Sequence, residues 1–310
     1  MRADRPVQLF SFGYHLNTWD LGGYPLDEGL STIKRHGFGW VEALARDGFS
    51  NDFARRFMGT GPQPLPATTT DIDFLTRTSM FAGAADQGLR LSSLYCNREF
   101  INPLTREAEL ATLVTMLRLL RGFDAPGLVM GGGPAAGPGS DHAYDDYVAF
   151  AAFLNEIGQR AADMGMWAAY HPHLDCFVET REQLDKLVPL LDTDVTGLCI
   201  DTAHLAISRS DPVQAIHDYA SILRYVHFKD VVSPDTVAGV GRYTAFRSLG
   251  DGTVDLKGCA TELLAAGYNG LVTVELDTTL GDPEDDLVSS VDYITKVLGL
   301  SLSPLGRETA

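Results

Sequence analysis

The sequence carries little positive charge. Lysine and arginine number 24 against 41 aspartates and glutamates, a formal net charge of −17. Such a surface repels phosphate backbones and anionic lipid headgroups, and no local basic patch offsets it. Nucleic-acid and membrane-surface roles are therefore disfavoured, and a small neutral ligand fits better. Cysteine is also scarce: Cys96, Cys176, Cys199 and Cys259 are scattered, with no pair at the spacing of a zinc knuckle or redox motif. Reduced thiols are expected, Cys199 as packing inside an apolar run and Cys176 without an activating partner in sequence. No apolar stretch is long enough to span a bilayer, and the start Met1-Arg2-Ala3-Asp4-Arg5-Pro6 is polar rather than a leader. The expectation is a cytoplasmic protein. Low-complexity tracts and short-period repeats are missing as well.

What the chain does have is alternation. Its 310 residues, 45% of them hydrophobic, can bury a sizeable core. Short apolar runs near 7–12, 39–43, 89–95, 128–130, 167–171, 197–201, 225–230 and 272–277 are separated by longer amphipathic stretches. Helices are expected at 70–87, 144–164, 181–190, 211–223, 256–266 and 285–298, and one ends at His36-Gly37 with glycine in the usual terminal place. Eight βα units predict a single α/β domain, a (β/α)8 TIM barrel over residues 1–300, with a polar tail at 301–310. The insertions at 47–69 and 231–255 are expected to hang over the carboxyl-terminal mouth as lids. Gly131-Gly132-Gly133 reads as a tight bend, and the glycines at 250 and 252 as a turn before a helix.

Four apolar runs of the second half end in an acid or an imidazole: Tyr170-His171-Pro172-His173, Cys199-Ile200-Asp201-Thr202-Ala203-His204, Tyr225-Val226-His227-Phe228-Lys229-Asp230 and Val272-Thr273-Val274-Glu275-Leu276-Asp277. In one parallel barrel these ends share a mouth, where His171, Asp201, His227 and Glu275 would form a mixed oxygen and nitrogen cage for a divalent metal. A lone histidine beside a strand is more often a satisfied core or rim residue, and only the set of four shifts the balance. Asp201 carries the strongest individual argument, because a carboxylate at the end of a buried strand costs several kcal/mol unless something satisfies it. A helix N-cap is the competing role for Asp201, and an ion pair with Lys229 is the competing role for Glu275.

With these motifs and Leu249-Gly250-Asp251-Gly252-Thr253-Val254-Asp255, the chain resembles the xylose-isomerase-like barrel superfamily of sugar isomerases and epimerases. Within it the likeness is greatest to the inosose dehydratase type, which has a tyrosine followed by a histidine cluster on the fifth strand. The resemblance covers most of the chain from that strand onward and is weak before it. It implies a manganese-like ion at the mouth, with Co2+, Mg2+ or Zn2+ as alternatives, bound to adjacent oxygens of a keto-sugar or cyclic polyol ketone. One departure matters: His171 stands where epimerases of this superfamily usually place a glutamate, and that turns the expectation from epimerisation toward a lyase.

The expected chemistry is α-proton abstraction, a metal-stabilised enolate and β-elimination. His173 is the first candidate base and Glu275 the second, with His204 or Lys229 as the acid. Glu42, Glu179 and Asn97 are candidates for binding substrate hydroxyls, a solvated helix start being the competing role for Glu179. An isomerase or epimerase would use the same metal and enolate and differ only in the fate of that intermediate. A related lyase reading is the large subunit of a C-glycoside deglycosidase with a small β partner; otherwise a homo-oligomer is expected. An endonuclease of the same superfamily conflicts with the charge, and a non-catalytic barrel would hold no metal.

Overall fold

Short apolar runs between amphipathic segments become parallel strands in the computed structural model, which describes residues 7–45, 81–137, 139–233, 235 and 242–303. The strands are β1 (Ser11–His15), β2 (Trp40–Leu44), β3 (Arg90–Arg98), β4 (Gly127–Gly132), β5 (Trp167–Tyr170), β6 (Thr196–Asp201), β7 (Leu223–Phe228), β8 (Asp230–Val231), β9 (Phe246–Arg247) and β10 (Leu271–Val274). All but β8 and β9 close into one barrel in the order β1-β10-β7-β6-β5-β4-β3-β2. Leu271 closes the ring by pairing with Ser11 on one side and Tyr225 on the other. Strands β4 and β6 are buried along their whole length, which is why they read as unbroken apolar runs.

Leu44, Val129, Cys199, Tyr225 and Leu271 are among the side chains that fill the barrel interior. Helices cover the outside. The helix Tyr144–Ala162 buries Phe150, Phe153, Leu154, Ile157 and Ala161, the three-and-four spacing of one helical face. Beyond β7, Asp230 and Val231 pair antiparallel with Arg247 and Phe246, and this ribbon folds back beside the strand ends. It falls within the region of the expected second lid, 231–255; the first, at 47–69, lies outside the described residues.

Several boundaries differ from expectation. The first strand is Ser11–His15 rather than 7–12, because pairing with β10 begins at Ser11, while Val7 is 74% exposed. Ser11, Gly13 and His15 hide that strand from a hydrophobicity reading. The helix Arg106–Gly122 was not anticipated, although Leu113, Met116, Leu117 and Leu120 supply its buried stripe. Of the helix expected at 70–87, residues 81–86 are helical and the earlier part lies outside the described residues. In the tail, Leu302 accepts a hydrogen bond from the Phe12 amide at 2.8 Å, and Ser301 binds both ends of the Gln8 amide. Residues 304–310 lie outside the described set.

Candidate metal centre and pocket

Asp201 is the last residue of β6 and is fully buried. Its Oδ1 accepts from the amides of Ala203 at 2.8 Å and His204 at 2.9 Å, capping the helix Thr202–Ile207. The cap and the candidate ligand are therefore one side chain with two separate oxygens. Oδ2 has no hydrogen-bond partner among the described residues and lies 3.6 Å from His171 Nε2 and 3.8 Å from His227 Nδ1. A carboxylate oxygen so placed requires positive charge nearby; the Lys229 ammonium at 4.0 Å supplies part of it without a hydrogen bond.

The neighbouring strand ends supply the rest of the cluster. His227 pairs with Asp201 across β6 and β7, His171 follows the end of β5, and the Glu275 amide donates to Phe228 just past β10. His227 Nδ1 is 3.0 Å from His171 Nε2 and 2.8 Å from Glu275 Oε2. One donor atom from each of His171, Asp201, His227 and Glu275 falls within 4.8 Å of the others, all four residues buried. Two carboxylate oxygens and two imidazole nitrogens facing one point suit a divalent ion of hard or borderline character. The electrostatics agree: burial opposes charge on His227, yet Cys199, Glu42 and Glu275 outweigh it and hold its pKa well above the usual value.

Glu42, a candidate for binding substrate, is fully buried and engages both oxygens with the protein, accepting from Ser93 Oγ at 2.7 Å and meeting His227 Nε2 at 2.8 Å. Burial disfavours its charge, but His227 and His15 bring its pKa below the ordinary value. An ionised carboxylate can only accept, so it holds a proton of His227 on Nε2 and makes Nδ1 the nitrogen that would give up its proton to a metal ion. Glu42→Leu is accordingly expected to weaken Mn2+ binding by roughly 10–100-fold, measured by calorimetry. Unchanged affinity would show that His227 needs no such partner.

Lys229, a candidate acid, lies among carboxylates. Its ammonium is fully buried, 2.6 Å from Asp277 Oδ2, 3.5 Å from Glu275 Oε1 and 4.2 Å from the centre of the Phe246 ring. Burial opposes this charge, yet Asp277, Glu275 and Asp201 keep the lysine pKa well above its usual value. A group held so firmly protonated is a poor proton donor. Against burial, Lys229, His227 and His15 hold Glu275 well below the ordinary carboxylate range, whereas burial and Glu275 push Asp277 up to about 7.

A small pocket opens above the cluster. Leu21, Leu44 and Tyr95 give it an apolar and aromatic lining, and Asn17, His171, His173, Glu275 and Asp277 give it polar groups. Both candidate bases, His173 and Glu275, thus reach the pocket; His173 Nδ1 lies 2.8 Å from the Leu174 carbonyl. Burial, His171 and Lys229 press its pKa well below the usual histidine value, which keeps the ring neutral. His204 packs behind it with ring centres 3.7 Å apart and its Nε2 3.3 Å from Lys229 Nζ, and is not among the described pocket residues.

The remaining two candidates for substrate binding also lie elsewhere. Glu179 pairs with Arg242 and accepts from the Asp175 amide at 2.9 Å, half-buried, and Asn97 is buried beside Gly131 in the β3–β4 ladder. Sequence reasoning missed Asn17, His15 and Tyr95, which lie in the first half where the motif signal is weak, and gave no role to Asp277 although it stands in the last motif. The alternation in Tyr14-His15-Leu16-Asn17 is the one signal that could have flagged the first two. Gly131 makes room for Tyr95: a Cβ there would lie 2.0 Å from the phenol oxygen.

A closed barrel with a buried cluster of two imidazoles and two carboxylates at the carboxyl ends of adjacent strands defines a class: parallel barrels with a candidate divalent-metal centre at the mouth. The profile of the xylose isomerase-like TIM barrel family matches residues 30–297, and the chain belongs to that family. It is similar to the inosose dehydratase of Clostridium botulinum (strain Alaska E43 / Type E3), 33% identical over 153 residues that make up 46% of this chain and 51% of that protein. The chain spans about half the length of the curated relatives it matches. Among solved structures, the probable 3-DHS dehydratase AsbF from Bacillus anthracis has a TM-score of 0.69 at 14% identity, covering 92% of this chain and 99% of that one. The IOLI protein with a binding zinc atom has a TM-score of 0.69 at 16% identity, covering 94% and 98% respectively. These two likenesses are of fold. No helix among the described residues is long and apolar enough to cross a membrane.

Proposed function

We propose that this protein is a divalent-metal-dependent lyase that removes water, or another β-substituent, from a keto-sugar or cyclic polyol ketone. The observation that carries the reading is the unsatisfied Asp201 Oδ2 facing His171, His227 and Glu275 beneath a pocket lined by His173. A fold shared with a zinc-binding neighbour and sequence likeness to inosose dehydratases support it. His171, Asp201, His227 and Glu275 would hold the ion, with Mn2+ the first candidate. Bound there, the ion would polarise the substrate ketone and offset the charge that develops on its oxygen.

The chain's own residues account for the proton. His173 is the pocket imidazole outside the ligand set and would take the proton from the carbon next to the ketone; burial, His171 and Lys229 make it a weak base, so the step relies on the bound ion to acidify that C–H bond. The electron pair of that C–H bond forms the new C=C bond as the β-substituent departs, and the same proton, returned from His173, turns a departing hydroxide into water. Lys229 and Glu42 stay ionised as fixed supports.

The test is a titration of metal-free protein with Mn2+, Co2+, Mg2+ and Zn2+, followed by inosose as substrate. An ion at 100 times its Kd is expected to stabilise the fold by about 2.7 kcal/mol in melting experiments. Metal-dependent loss of water from inosose, read by mass and by absorbance of the unsaturated product, is the expected activity. A binding metal with return of solvent deuterium but no water loss would instead make the protein an epimerase or isomerase. No stoichiometric ion and no stabilisation would leave a non-catalytic barrel.

A further inference from the structure

Asn17 follows β1 at the opposite end of the chain from the last motif, yet its side chain lies inside the cluster. It is 5% exposed, and its Nδ2 donates to Glu275 Oε1 at 2.8 Å and to Asp277 Oδ1 at 3.2 Å. One amide thus joins two carboxylates that would otherwise repel each other, and it does so without adding charge. Its backbone is held on both sides: the Asn17 amide donates to His15 Nδ1 at 3.1 Å, and Thr18 Oγ1 donates to the Leu276 carbonyl at 2.6 Å. With Oε1 of Glu275 occupied in this way, Oε2 is the oxygen turned to His227 Nδ1 at 2.8 Å.

We infer that Asn17 is a positioning residue for the metal centre, setting which oxygen of Glu275 ligates. The inference rests on the metal-binding reading above and extends it to a residue outside the ligand set. Asn17 is a lining residue of the pocket, and its Oδ1 is buried with no hydrogen-bond partner among the described residues.

The experiment measures Mn2+ alone, by calorimetry, on the wild-type chain and on Asn17→Leu, with melting temperatures of both metal-free proteins. Leucine matches the shape of asparagine and supplies no donor. The expected result is a 10–100-fold weaker Mn2+ affinity in the variant at a metal-free melting temperature close to wild type. If Asn17→Leu does not fold, Asn17→Ala carries the same comparison. Equal affinity in a folded variant overturns the positioning role while leaving the metal site intact. Failure of the wild-type chain to bind Mn2+ instead overturns the metal-binding reading, and this inference with it.

Discussion

Asp201→Asn is expected to abolish useful divalent-ion binding while leaving the barrel folded. Asparagine caps a helix about as well as aspartate, so the hydrogen bonds from Ala203 and His204 to Oδ1 survive. The change falls on Oδ2, the buried oxygen that faces His171 and His227. An NH2 group there turns an anionic ligand into a neutral donor. The loss of Mn2+ affinity should therefore exceed the roughly 10–100-fold typical of a residue that only supports a ligand. The metal-free melting temperature should move by the equivalent of about 1 kcal/mol, and added Mn2+ should no longer raise it. Calorimetry and paired melts with and without Mn2+ check this, and retained stoichiometric binding at wild-type affinity would refute the site.

Lys229→Met is expected to have the largest effect on stability. The lysine ammonium is fully buried, and its contacts at 2.6 Å to Asp277 and 3.5 Å to Glu275 balance two carboxylates that sit with Asp201 in the same small volume. Methionine fits the space against Phe246 and removes only the charge. Breaking one side of a buried ion pair costs about 3–5 kcal/mol, because the partner charges are left uncompensated. In a chain of this size that corresponds to a fall in melting temperature of roughly 5–10 °C. A wild-type melt would show that the carboxylates do not need this counter-ion, and would reopen a chemical role for Lys229. The result separates a structural cation from the proton donor that the motif suggested.

The candidate ligands were legible because each stands where an apolar run stops. A parallel strand inside a closed barrel is buried on both faces, so its sequence is apolar until the chain reaches the mouth. That rule placed His171, Asp201, His227 and Glu275 together before any geometry was known, and the four buried donor atoms lie within 4.8 Å of one another. It failed for β1, where Ser11, Gly13 and His15 interrupt the apolar run. It also does not show what Glu42 and Lys229 touch. A buried carboxylate can serve a substrate or another side chain, and what decides is a partner 185 residues away in sequence.

The sequence by itself thus determined the barrel and the strand ends that carry acids and imidazoles. Periodicity and charge are local or summed properties, and a single chain displays both. Only the tertiary structure decided which polar atoms are spent on the protein and which are left to act. It turned Glu42 toward His227, locked Lys229 to Asp277, brought Asn17 across from the first strand, and left Asp201 Oδ2 facing two imidazoles. These outcomes depend on closure of the barrel, which for Asn17 and Glu275 brings together side chains 258 residues apart.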